Sequence, residues 1–422
     1  HMETLKNFIL TIFLLSEYVV CYYGTWATYR SGVGKFDVAH INTDLCTHLV
    51  YTFVGLNNNA EVVSLDPYLD LPDNWGRDNF GAFNALKQKN PKLKTILAVG
   101  GWNEGSAKFS VMAASATQRQ LFITSAIKMI QDHGFDGLDL DWEYPNRRDT
   151  VHGAADVENY IVLLKELRSE LDKHGLMLSA AVASVKDMAS QSYDISEVSK
   201  YLDLINVMTY DMYGAWDPMT GHNAPLHQGI GDQGQDPNDL YTVDVALQYW
   251  INQGAPTDKL VIGVPFYGRT FTLVDPNNAT VRAPASGAGL AGPYTATNGF
   301  LGYNEFCYKL ITESWTKQYD SLAKVPYAFS GRDWVSYDDV NSIVEKIDYV
   351  SKFNIAGIMI WSIETDDFHG LCGDGDFPLL RAVNKAVGRT VPDSSASSAG
   401  TSSSIASVST SSTGLLILGL IF

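Results

Sequence analysis

The chain has 422 residues, 45% hydrophobic and 18% charged, with a formal net charge of -17. That length suits one large barrel carrying an insertion, and the acidic balance, with no Lys/Arg run, excludes long-range attraction to a polyphosphate, so no nucleic-acid partner is expected. A neutral ligand is unaffected by the charge, and 22 tyrosines with 9 tryptophans are more rings than core packing requires.

His1 stands ahead of Met2, the expected initiator. Lys6 then precedes an apolar run from Phe8 to Leu15, followed by Ser16-Glu17-Tyr18. This is the layout of a secretory leader cut shortly before Cys21, which sets residues 1–20 apart from the fold. Cys21, Cys46, Cys307 and Cys372 all follow that point. An even count in an exported chain predicts two disulfides, with three connectivities open. No Cys-x-x-Cys pair offers a zinc or redox site, and no metal or cofactor is expected.

Short apolar or β-branched runs recur in order: Val19 to Tyr23, Thr47 to Phe53, Thr95 to Val99, Gly137 to Glu143, Met177 to Val182, Leu204 to Tyr210, Leu260 to Tyr267 and Ile358 to Trp361. Between them Gln118 to Gln131, Val157 to Lys173, Val243 to Gln253 and Asp338 to Phe353 carry apolar residues at helical spacing. The alternation predicts an α/β fold with a parallel sheet, and the strand number predicts a TIM (β/α)8 barrel built from residues 21–267 and 336–388. Residues 268–335 are too many for a loop and have apolar content of their own. They predict an α+β insertion subdomain between strands 7 and 8. Asn278-Ala279-Thr280 within it is a glycosylation sequon.

Residues 389–422 turn abruptly to Ser, Thr, Ala and Gly, a composition that cannot offset its ordering entropy and predicts disorder. Small residues at Ser397 to Gly400, a polar spacer and the apolar end Leu415 to Phe422 have the layout of a GPI-anchor signal, against a chance apolar end. The product is expected outside the cell, either free or held at the surface by such an anchor.

The segment Gly134-Phe135-Asp136-Gly137-Leu138-Asp139-Leu140-Asp141-Trp142-Glu143 carries the chemistry. Side chains alternate along a strand, so Asp139, Asp141 and Glu143 share one face and Leu138, Leu140 and Trp142 the other. Neighbouring carboxyls then lie roughly 6–7 Å apart along the strand, close enough that they cannot all ionise cheaply. One retained proton is what a general acid needs. Glu143 stands where a barrel strand ends, the position from which catalytic groups reach substrate. A calcium loop would need Gly where Tyr144 stands.

This segment resembles the Asp-x-x-Asp-x-Asp-x-Glu signature of family 18 chitinases, with Asp136, Asp139, Asp141 and Glu143 in its acidic places. Leu97 to Trp102 resembles the family's Gly-Gly-Trp turn, with Gly101 and Trp102 near sugar. Asn206 to Asp211 resembles its Met-x-Tyr-Asp motif, through Met208, Tyr210 and Asp211. Pro265 to Arg269 and Met359 to Ser362 resemble the ends of its seventh and eighth strands.

The resemblance covers Cys21 to Val387 and implies a chitinase acting on chitin and chito-oligosaccharides, most simply as a monomer. It implies that Glu143 is the acid, Asp141 orients the substrate acetamide, Asp139 relays charge, Tyr210 bonds the acetamide oxygen and Asp136 is structural. It also implies that Tyr22, Trp26, Phe53, Gly101, Trp102, Met208, Asp211, Trp216, Tyr267, Arg269 and Trp361 contact the substrate, and that Cys21 pairs with Cys46 and Cys307 with Cys372. A lectin that has lost its acid and an endo-acting hydrolase of N-glycan cores are the rival expectations.

Overall fold

The computed structural model describes residues 18–394. The apolar core of the expected leader and the small-residue and apolar parts of the expected anchor signal lie outside the described residues. Eight parallel strands form the barrel: β1 (Tyr18–Gly24), β2 (His48–Leu56), β3 (Lys94–Gly100), β4 (Gly137–Asp141), β5 (Met177–Ala183), β6 (Leu204–Met208), β7 (Leu260–Pro265) and β8 (Gly357–Trp361). Each pairs with the next, and β1 pairs with both β2 and β8, which closes the ring and leaves no barrel edge unpaired. A short strand, Val62–Ser64, adds antiparallel to β2.

Period-two alternation divides the core. Val20, Tyr22, Val50, Ile96, Ala98 and Met359 pack together in the lumen. Their strand neighbours Val19, Cys21, Leu49, Leu97 and Ile358 belong to a larger cluster shared with the outer helices. Those helices include Ala116–His133, Ala155–Asp172, Val243–Asn252 and Val340–Val350, matching the four amphipathic stretches to within about three residues at each end.

Three boundaries differ from the sequence expectation. The seventh run is split: β7 stops at Pro265, and Tyr267–Leu273 is the first strand of the insertion, because its backbone pairs with Phe300–Gly302 and Asp333–Ser336 instead of the barrel. β4 stops at Asp141, so Trp142 and Glu143 lie just beyond it. At the start, Tyr18, Val19 and Val20 pair with Gly357, Ile358 and Met359, so residues assigned to the leader are part of β1.

The insertion is a six-stranded antiparallel sheet with the helix Tyr303–Thr312. Disulfides join Cys21 to Cys46 and Cys307 to Cys372. The first ties β1 to the loop before β2, and the second ties the insertion helix to the loop after β8. No described helix is long and apolar enough to cross a membrane.

Candidate active site

The lumen faces of the strands bring the acids together. Asp139 lies opposite Ser179 in the β4–β5 register, and Ser179 Oγ donates to Asp139 Oδ1 at 2.6 Å. Tyr22 Oη on β1 donates to Asp139 Oδ2 at 2.8 Å, and Asn206 Nδ2 on β6 reaches Oδ1 at 3.4 Å. These donors partly offset burial, which leaves the Asp139 carboxyl raised. Asp141, one step nearer the mouth, is 2% exposed, and its Oδ1 has no hydrogen-bond partner. Burial and the charges of Glu143 and Asp139 push it well above the ordinary range.

Glu143 is 8% exposed, at the end of the row. Burial raises its carboxyl, bonding to Asp141 and Tyr144 opposes this, and the Asp211 charge raises it again; the result is a group pushed up to about 7. Behind it, Trp142 faces away from the lumen, stacks on Phe109 with centroids 5.5 Å apart and donates to Ser106 Oγ at 2.6 Å. Strand alternation thus anchors the backbone on one side of the acid while the carboxyl faces the other. Tyr210 is buried in the lumen, its hydroxyl 3.5 Å from Met359 Sδ; burial and the nearby Asp141 charge raise its phenol.

Trp361, Phe53 and Trp26 form one wall. Phe53 stacks on Trp361 at 5.9 Å and on Trp26 at 6.2 Å, and Tyr22 meets Trp361 at 5.7 Å. Gly101, at φ 84°, could not carry a side chain, since a Cβ there would stand 2.6 Å from the Phe53 ring. Among the described residues three non-proline peptide bonds are cis, Thr52–Phe53, Glu143–Tyr144 and Trp361–Ser362, and all adjoin this site.

Residues 18–366 match the family described as Glycosyl hydrolases family 18. The chain belongs to that family. It is 39% identical to the probable chitinase 2 of Drosophila melanogaster, over 88% of this chain and 81% of that protein. Among solved structures it is similar to the Group IV chitinase of Ostrinia furnacalis, with 58% identity and a TM-score of 0.86 over 88% of this chain and 99% of that one. It is also similar to human YKL-39, described as a pseudo-chitinase with retained chitooligosaccharide binding properties, with 38% identity and a TM-score of 0.80 over 88% and 99% of the two chains.

Two further rings of this family 18 barrel lie exposed beside arginines. Trp102 and Trp216 are 56% and 59% exposed. The Arg148 guanidinium lies 3.6 Å over the Trp102 ring and donates to the carbonyls of Trp102 and Glu143 at 2.8 and 3.3 Å. Arg269 lies 5.1 Å from the Trp216 ring, and its Nε donates to Asp211 Oδ1 at 2.8 Å. Tyr267 Oη donates to the same oxygen at 2.6 Å. Met208 is half-buried below Tyr210, packed against both the lumen and the outer core.

Asp136 lies at the far end of β4. It accepts from Thr95 N at 2.8 Å and pairs with Lys87 at 3.1 Å, which ties strand starts together away from the mouth. Sequence reading missed Ser179, Asn206 and Arg148. The alternation that places Tyr22 in the lumen also places Ser179 and Asn206 there, and buried polar residues on an inward face are the signal that could have found them. Arg148 follows the strand in a loop and carries no periodic signal.

Proposed function

We propose that the chain is a chitinase that hydrolyses β-1,4-linked N-acetylglucosamine polymers with retention, by a mechanism assisted by the substrate. The observation that carries this reading is Glu143: a carboxyl at the mouth of a closed barrel, held near neutrality as a proton donor, beside two further buried acids and an aromatic wall. Ring faces suit the apolar C–H surfaces of pyranoses. The match to family 18 adds the sugar class, since its members are among the glycosidases that use the substrate acetamide as nucleophile.

Glu143 gives its proton to the glycosidic oxygen as the bond to the anomeric carbon breaks. The acetamide oxygen attacks that carbon from the other side, forming an oxazolinium ion. Asp141 accepts from the acetamide N–H and faces the positive ring, Tyr210 Oη donates to the acetamide oxygen, and Asp139 holds the charge of the pair. Glu143, now a carboxylate, takes a proton from water as it attacks, which restores the acid and leaves the anomeric configuration unchanged. Two disulfides suit an oxidising compartment, and export is part of this reading.

Glu143→Gln keeps the shape and removes the proton. Turnover of chito-oligosaccharides, read as new reducing ends, should fall at least about 100- to 1,000-fold while oligosaccharide affinity is retained. Variant turnover within tenfold of wild type would remove Glu143 as the acid, and no turnover in either with binding intact would assign the chain the lectin role.

A further inference from the structure

Asp211 holds the left-handed backbone conformation, uncommon for residues other than glycine, with φ 58°. The constraint is Asn223, which is fully buried. Its side-chain Oδ1 accepts the Asp211 N–H at 2.9 Å, and its carbonyl accepts the Met212 N–H at 2.9 Å. Its own N–H donates to Ser336 Oγ at 2.7 Å, and its Nδ2 donates to the Tyr267 carbonyl at 3.3 Å. Tyr267 opens the insertion sheet and Ser336 ends its last strand, where it pairs with Arg269.

We infer that Asn223 is a positioning residue that joins the insertion subdomain to the catalytic acid by fixing Asp211. Two of the four bonds hold the Asp211–Met212 backbone, and the other two hold Asn223 to the insertion. The left-handed turn at Asp211 aims its carboxylate at Tyr267 Oη and Arg269, which the insertion supplies, and keeps its charge within reach of Glu143. Strain of this kind persists only where surrounding bonds over-determine it, and here one residue supplies them, two through its side-chain amide and two through its backbone. The groups that interact with Glu143 are Asp141 from β4, Tyr144 and Arg148 from the loop after it, Tyr193 from the segment after β5, and Tyr210 and Asp211 from the end of β6. Beyond burial, the Asp211 charge is what raises Glu143 from outside β4, so its placement contributes to how firmly the proton is held.

The inference rests on the hydrolase reading for its kinetic arm. Asn223→Ala should lower kcat on chito-oligosaccharide about 10- to 100-fold, the range expected when a site group is misplaced by an ångström. The alkaline limb of the pH profile should move to lower pH, because a displaced Asp211 no longer raises Glu143. In an Asp211→Asn background the same substitution should cost little more, since both act through one carboxylate. Additive losses, or a folded Asn223→Ala with wild-type kcat and pH profile, would overturn the assignment. If Asn223→Ala fails to fold, Ser336→Ala, which removes only the hydroxyl that accepts the Asn223 N–H, runs the same cycle in milder form. Hydrogen exchange at the Asp211 amide reads the positioning without substrate. It should quicken in either variant, and unchanged protection would reject the inference even if wild type hydrolyses nothing.

Discussion

In the barrel lumen Asp141 and Glu143 are buried with few donors around them, whereas in the insertion Asp320 is buried with a donor on nearly every side. Asp320 lies 3.0 Å from His222 Nε2 and accepts from the backbone N–H groups of Ile230, Leu322 and Ala323 at 3.0 to 3.1 Å. Burial alone would raise it, but the bonds from His222, Ala323 and Ile230 outweigh that and bring it down to about 2. In the lumen the same burial acts on a row of like charges with an unpartnered oxygen, and the carboxyls rise. Desolvation pushes both regions one way; the supply of N–H and O–H donors decides whether a buried acid becomes an anchor or a proton carrier.

The contrast breaks most sharply at the anchor. Asp320→Ala strands a buried imidazole nitrogen and three backbone donors, a loss of roughly 3–5 kcal/mol. Denaturant unfolding should register it, with little change in the pH profile of activity. A smaller and opposite effect belongs to Glu143. Its folded value near 7 lies above the ordinary 4.5, so the folded state binds the proton more tightly than the unfolded one. Its contribution to stability is therefore present below about 4.5 and is lost as pH rises through 7. Glu143→Gln removes that dependence and should unfold up to about 3 kcal/mol less readily than wild type at pH 8, with no gain at pH 4. Equal gains at both pH values would mean that the acid is not held as described.

The acid row was legible in the sequence because alternation is a local rule: two-residue spacing puts Asp139 and Asp141 on one face of β4, and Glu143 continues the row just past its end. Leu138, Leu140 and Trp142 lie in the outer core for the same reason. What could not be read is what arrives from far along the chain. Asn223 meets Ser336 across 113 positions and Tyr267 across 44, and no periodicity carries such a contact. The boundary at Tyr18 illustrates a different limit. Val19 and Val20 serve equally well as the end of an apolar leader or the start of a strand, and only their pairing with β8 separates the two. Leader removal before Tyr18 would leave β1 whole, and N-terminal sequencing of the secreted protein should find it there.

The finest adjustment of the contrast is Arg148, a cation beside the acid row. Its charge lowers Glu143, against the larger effects of burial and the Asp211 charge. It sits at the surface, where water and salt screen it, so its effect on the proton is small. Arg148→Ala should therefore raise the alkaline limb of kcat/KM by a few tenths of a pH unit at low salt and less at high salt. The substitution also frees the face of Trp102 that the guanidinium covers, a contact worth about 0.5–1 kcal/mol at an exposed site. Oligosaccharide affinity should then change about two- to fivefold, in the same direction at every pH. The two effects separate by their salt dependence, because only the proton is reached through solvent. A limb that moves to lower pH would show that Arg148 does not act on Glu143 as a counter-charge.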